Sequence, residues 1–277
     1  MPLSWFHESE TWAVVLVLMM GMMGAAEIGY LFGRRHSAAV SASYFIAVQG
    51  SLLGLQGLLL GFTFSLSVQR HELRQQLVMD DATVLNTLWL RAGLLPEPQR
   101  GEFETPLRQY VGLRAEVATL GREPTAAELS AGLDLAETLH RRMWEVVRAG
   151  RQDGPAAEDA DTLVTLLSDA MASHRRRVQA YEARVPGVTM ALLLVASLTS
   201  MAAVGYSGGL NKIRGMLPRI MIVLLVCGTI YTILDLDTPG RGLIQVDQSP
   251  ILRVHQMIEQ DAETRQVIPG PVGPGSP

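Results

Sequence analysis

Apolar and polar positions alternate along this chain in long blocks. Four stretches, Trp12–Phe32, Ala39–Val68, Pro186–Gly208 and Leu217–Leu234, are dominated by apolar residues. A helix needs about 20 such residues to cross roughly 30 Å of hydrocarbon, so these are four candidate spans. The pattern predicts an all-α membrane protein. Residues 1–68 form an N-terminal transmembrane pair (spans about 12–32 and 39–68), and 186–236 form a C-terminal pair (spans about 186–208 and 217–234). A helical soluble domain, residues 69–185, is inserted between spans two and three. Residues 237–277 form a tail, with the Pro/Gly-rich end disordered from about 268.

Within the polar stretch the apolar positions recur at helical spacing. Val68 to Leu94 has no Gly or Pro before Gly93, so the second span is predicted to continue as one long helix until Pro96 and Pro98 stop it. A second helix follows over Gln99–Leu120. Thr125 with Glu128 reads as a capping box that opens a third helix running to about Val147. After a turn at Gly150–Pro155, a last helix over Ala156–Arg184 presents Leu163, Leu166, Leu167 and Met171 on one face and leads to the third span after Pro186. A short extended piece is possible at Gly242–Val246.

The second span carries the clearest pattern. Between Ser37 and Gln69 no residue is charged, and Ser43, Ala47, Gly50, Gly54, Gly57, Gly61 and Ser65 alternate at four- and three-residue steps. On a helix this makes a nearly bare stripe where another backbone, or water, can approach closely. Gln49, Gln56 and Thr63 recur every seventh position beside it, and buried amides need partners or water. The stripe reads either as tight helix packing or as the lining of a pore, with Phe62 and Phe64 near its end as a constriction able to gate by dewetting.

Composition agrees with a membrane location: 48% of residues are hydrophobic, 18% are charged and the mean hydropathy is +0.20. A net charge of −4 gives no reason to expect nucleic-acid binding. The N-terminus has Glu8 and Glu10 but no Lys or Arg before the first apolar run. That run is therefore expected to be a retained span rather than a secretory signal. Cys227, the sole cysteine, excludes an intrachain disulfide.

Charged groups near the membrane are the remaining candidates. Glu27 lies inside the first span and should face protein, water or a cation; Arg34, seven residues on, is the expected partner, with a proton or ion relay as the alternative. Asp235 and Asp237 close the fourth span and are expected to pair with Arg70, Arg74 or Arg184. Arg70, Arg74, Arg175, Arg176 and Arg177 would form a positive vestibule in a ring of subunits. His71 and His174 in the same layer could make it pH-sensitive. His140-Arg141-Arg142 reads as helix surface. The short loops carry Arg34, Arg35, Lys212, Arg214 and Arg219, which by the positive-inside rule puts the helical domain on the external side. No Walker loop, GxSxG, HExxH or Rossmann glycine pattern is present, and neither a catalytic role, a cofactor nor a metal is expected.

Arg34-Arg35-His36, the run GLLLGFTFSLSVQRHELRQQLVMDDA (Gly57–Ala82), TLWLRAGLLPEPQR (Thr87–Arg100) and LDLDTPGRGLIQV (Leu234–Val246) resemble a family of bacterial membrane proteins described as bestrophin-like. The resemblance covers most of the chain apart from the extreme tail. It implies a likeness to the bestrophins, which are pentameric anion channels with four spans per subunit, helices extending into a cytosolic domain and the second span lining the pore. Bestrophins carry a calcium-binding acidic cluster after the fourth span; here only Asp235 and Asp237 occur. The cytosolic domain of that family is opposite to the side read from the loop charges. The resulting expectation is a homo-oligomer in the bacterial inner membrane, in contact with lipid and passing small inorganic ions. The alternatives are a non-conducting scaffold or sensor whose helical domain binds a partner, and a proton-coupled subunit using Glu27.

Overall fold

The computed structural model describes residues 11–35, 42–122, 124–150, 157–238 and 243–267. Glu8 and Glu10, the expected start of the second span at 39–41, the turn at 151–155, Gly242 and the tail from 268 lie outside the described residues. The described residues are helical and contain no strand; 243–248, where an extended piece was expected, is irregular. The helices are α1 (Thr11–Arg35), α2 (Ala42–Ala92), α3 (Gln99–Thr119), α4 (Ala126–Gly150), α5 (Ala157–Glu182), α6 (Gly187–Leu210), α7 (Met216–Asp237) and α8 (Ser249–Val267). Four stretches of helix are long and apolar enough to cross a membrane, and they contain α1, the first part of α2, α6 and α7.

The expected long helix is present. Its 51 residues extend about 76 Å at the usual rise of ~1.5 Å per residue. Threonines inside it donate their hydroxyls to the carbonyl four residues back, as Thr63 does to Leu59 at 2.8 Å and Thr83 to Met79 at 2.9 Å, so these donors are satisfied within the helix. The capping box at the start of α4 is formed in full. Thr125 N–H donates to Glu128 at 2.8 Å, and Glu128 N–H donates to the Thr125 hydroxyl at 3.2 Å.

The chain divides into two compact units. The first comprises residues 1–71 and 183–244, the second 72–182 and 245–277. The first holds α1, the apolar part of α2, α6 and α7, and its core includes Leu18, Met22, Leu193, Met201, Val223 and Ile230. Here α1 and α6 touch backbone to backbone. A Cβ added at Gly29 or Gly33 would collide with the carbonyl oxygens of Ala202 or Tyr206, and one at Gly205 or Gly209 with those of Ala26 or Tyr30. Both helices thus use a Gly-xxx-Gly step, and the two steps face each other. α7 packs beside α1, where Cys227 Sγ lies 4.0 Å from Met22 Sδ.

The second unit packs the end of α2 with α3, α4, α5 and α8 around Leu85, Trp89, Phe103, Tyr110, Leu139 and Leu163. The tail expectation is corrected here. Residues 249–267 form α8, whose Ile251, Val254 and Ile258 are buried in this core. Trp89 Nε1 donates to Asp261 at 2.8 Å, and Arg108 Nε donates to Glu259 at 2.7 Å, so the helix is held by polar contacts as well.

Gly205→Leu is expected to abolish the α1–α6 contact and to lower thermal stability by at least the ~1–3 kcal/mol typical of overpacking, because the obstacle is backbone. Gly54→Leu meets nothing within 4 Å and should leave the melting temperature of the isolated subunit unchanged. Thermal melts of the two variants in detergent compare them directly.

Candidate functional site

The exposed face of α2 is the first candidate. Gly50, Gly54, Gly57 and Gly61 are exposed, and a Cβ built on any of them meets nothing within 4 Å. Among the described residues, then, the stripe packs against no other helix. Only 11% of the apolar window of α2 is buried, against 33–39% for the other three spans. Phe64 lies beside the stripe, 39% exposed. Phe62 is 62% exposed, and at about 100° per residue it falls roughly a third of a turn from the glycines.

Two residues expected on the lining are corrected by the structure. Gln56 and Thr63 are 3% and 2% exposed and turn toward the interior of the subunit, with Gln49 half-buried on the same side. Gln56 Nε2 donates to Ser197 Oγ on α6 at 3.2 Å, and Ser197 in turn donates to the Leu193 carbonyl at 2.8 Å. Of this heptad Gln56 therefore ties α2 to α6, whereas Thr63 donates to the Leu59 carbonyl of its own helix. A buried amide in apolar surroundings is costly without such a partner. A groove between α2 and α7 runs alongside, lined by Gly57, Gly61 and Phe64 on one wall and Leu225, Gly228 and Thr229 on the other.

The five vestibule arginines have different environments. Arg70 lies 3.7 Å from Asp237, Arg74 is buried with Nε donating to the Ala180 carbonyl at 3.0 Å, and Arg177 lies 3.5 Å from Asp81. Arg175 and Arg176 are exposed. A uniform exposed ring of all five is thus ruled out by the contacts that three of them make.

The acids are structural anchors. Asp237 accepts the Val185 N–H with both carboxylate oxygens, at 2.9 and 3.0 Å, in addition to facing Arg70. The Asp235 oxygens accept the N–H groups of Leu243 at 3.1 Å and Ile244 at 2.9 Å. Both carboxylates face donors, which is the wrong arrangement for a calcium ion needing six to eight oxygens. Among the described residues no group of three His, Cys, Asp or Glu side chains could hold a metal. Glu27 is bound to Arg214 and lies 3.8 Å from Arg219, so its partners come from the loop before α7 and the start of α7, and Arg34 is not the expected mate. The guanidinium of Arg219 also stacks 5.2 Å from the Tyr30 ring.

Sequence reasoning missed a charge cluster buried in the second unit. Asp81, wholly buried on α2, accepts from Arg114 Nη2 of α3 at 3.1 Å and faces Arg177 of α5. Tyr110 and His174 Nδ1 are 3.0 Å apart, and the His140 ring lies 4.6 Å from Tyr110 and 5.4 Å from His174. Since Tyr110 O–H and Arg177 N–H both approach Nδ1 of His174, that nitrogen is the acceptor and the proton belongs on Nε2. Burial lowers His140 to about 4; burial and then Arg177 lower His174 to about 4. Burial raises Tyr110 to about 12 and lowers Arg177 to about 10, with Arg114 adding to the latter. At neutral pH both histidines are therefore uncharged, and both arginines share one carboxylate. The reading of His140 as surface is corrected, since its ring is 4% exposed, and His174 is packed on Tyr110 rather than open at a mouth. No motif flags these residues, because the partners come from four different helices.

A profile of the Bestrophin-like domain matches residues 12–251. Two crystal structures of a bacterial bestrophin homologue from Klebsiella pneumoniae are similar in fold. One, carrying a tryptophan-to-alanine mutation, has a TM-score of 0.63 at 13% identity and covers 94% of this chain and 99% of its own. The other, phased with zinc, has a TM-score of 0.61 at 14% identity and covers 89% and 95%. A comparison with curated proteins gives no match.

Removing the carboxylate in Asp81→Ala leaves Arg114 buried without its partner and should cost about 3–5 kcal/mol, part of it recovered by adding Arg114→Met. Thermal stability of the single and double variants tests this. The histidines supply a second expectation. Their folded values lie below the unfolded ~6.5, so the unfolded chain binds more protons and stability falls as pH drops from about 6.5 toward 4. His140→Gln with His174→Gln should flatten that slope in melts taken between pH 4 and 7.

Proposed function

Because the chain belongs to the bestrophin-like family, we propose that it assembles as a homo-oligomeric ion channel in the bacterial inner membrane. The bare face of α2 carries this reading. Four glycines in a charge-free span leave room for water or a neighbouring backbone, and none of the described residues lies within 4 Å of a Cβ added there. In this reading Gly50, Gly54, Gly57 and Gly61 line the path and Phe64 narrows it. Gln56 holds the lining helix against α6, and Thr63 turns inward, bonded within its own helix, instead of facing the ion. Phe62 faces lipid or the next subunit. A pentamer is the assembly that the family resemblance implies.

Preference for small inorganic anions rests on the exposed Arg175 and Arg176, with Arg70 half-buried beside its carboxylate. In this reading the second unit is a soluble helical domain, formed by the segment between spans two and three together with α8 from beyond span four. Its composition supports this: α3, α4, α5 and α8 place Glu, Arg and Asp on their exposed faces and apolar residues in a common core. Loop charges favour the external side for this domain, whereas the family resemblance favours the cytoplasm. A reporter active only outside the cytoplasm, fused within residues 151–155, decides between the two.

The same bare stripe also suits a non-conducting scaffold in which subunits simply pack against one another. Cysteine substitutions along 49–65 separate the readings. Labelling by a water-soluble reagent that recurs with the glycines indicates a wet lining, and uniform protection indicates a dry interface.

In liposomes containing the folded protein, chloride flux is expected to exceed potassium flux. Gly54→Leu with Gly57→Leu should reduce it about tenfold or more while the assembly survives, a barrier increase of about 1.4 kcal/mol or more. Unchanged flux from a correctly assembled double variant would rule out this lining.

A further inference from the structure

The helical unit contains a groove that the channel reading leaves unused. It runs between α3, α4 and α5, holds about 380 Å³, and has apolar walls that include Leu113, Val117, Leu129, Leu133 and Val178. Val117 is 40% exposed, so the walls are open to a ligand rather than collapsed. Arg114 and Arg177 also line the groove, together with His174. This is the charge cluster described above, reached from its open side.

The charge balance of that cluster is uneven. The two guanidiniums approach a single oxygen, Oδ2 of Asp81, at 3.1 and 3.5 Å, and the side chain of Arg114 is only 5% exposed. Nε of Arg177 is buried and makes no hydrogen bond. With His140 and His174 neutral, one positive charge remains uncompensated beneath an apolar groove. Of the acids at the rim, Glu128 is held by Arg122 at 2.7 and 2.8 Å, while Glu116 and Glu182 are exposed to solvent. An arginine lining an apolar pocket, with its Nε–H in no hydrogen bond, suits a planar carboxylate carried on an apolar body.

We propose that this groove is a binding site for a small organic carboxylate with an apolar body, its charge held by Arg177 and Arg114 and its body lying against Val117, Leu129 and Leu133. The site is separate from the bare face of α2 and does not depend on conduction. A ligand there bridges three helices of the unit, and its binding favours their packed arrangement over any looser one.

The test uses the full chain in lipid nanodiscs, with empty nanodiscs as the blank, and phenylbutyrate as the probe in calorimetry. Saturable binding is expected, with phenylbutanol, the same body without the charge, at least about tenfold weaker. Arg177→Gln should weaken phenylbutyrate by a similar factor. Gly132→Phe fills the groove from α4, where an added Cβ meets nothing within 4 Å, and should remove binding while the melting temperature is retained. This variant keeps the test decisive if Arg177→Gln lowers stability. Equal binding of the alcohol and the acid, no saturable binding of phenylbutyrate, or full binding by a folded Gly132→Phe protein would each overturn the proposal.

Discussion

The contact of α1 with α6, backbone against backbone, organises the membrane unit. Lipid tails are as apolar as leucine side chains, so burying apolar area does not by itself bring two spans together. Close approach through Gly29, Gly33, Gly205 and Gly209 does, because the helices gain dense van der Waals contact along facing steps. With α7 beside α1 and α2 joined to α6 through Gln56 and Ser197, this pair carries the remaining spans. α2 meets the rest of the unit on the side where Gln56 reaches Ser197, the Leu52 carbonyl accepts from Ser200 and Leu60 enters the core. Its opposite, glycine-bearing side remains uncovered, and that asymmetry is what makes it available for another subunit or for water.

Charges in and near the apolar region follow a common logic. The described carboxylates Glu27, Asp235 and Asp237 of the membrane unit are matched to donors outside their own helices: Glu27 to Arg214, Asp237 to Val185 and Arg70, Asp235 to Leu243 and Ile244. The acids at the end of α7 therefore stitch the chain where it leaves the span, and their lone pairs are already occupied. In the helical unit the balance is different. Asp81 serves two arginines, and the surplus charge lies against an apolar groove instead of being buried out of reach.

Much of the architecture was legible in the sequence. The four spans, the uninterrupted helix through Ala92, the stop at Pro96 and Pro98 and the cap at Thr125 and Glu128 follow from local hydrophobicity, breakers and turn chemistry. α8 was equally local, since Ile251, Val254 and Ile258 keep helical spacing, yet this stretch was read only as part of a tail whose disorder begins at about 268. The Gly-xxx-Gly steps of α1 and α6 were also visible as patterns. Four glycines in α2 match the same rule, however, and in this subunit they touch nothing.

Periodicity along one helix determines which residues share a face. The sequence alone therefore established that the glycines of α2 form one stripe and that Gln49, Gln56 and Thr63 border it. Which stripe meets a neighbour depends on the orientation of that helix about its own axis, and only tertiary packing decides that. The structure turns the glutamines inward and the glycines outward. For the same reason Arg34 looked like the mate of Glu27, and His140 looked like surface. Spacing reports neighbours within one helix, whereas the partners Arg214, Arg219, Tyr110 and His174 arrive from other elements.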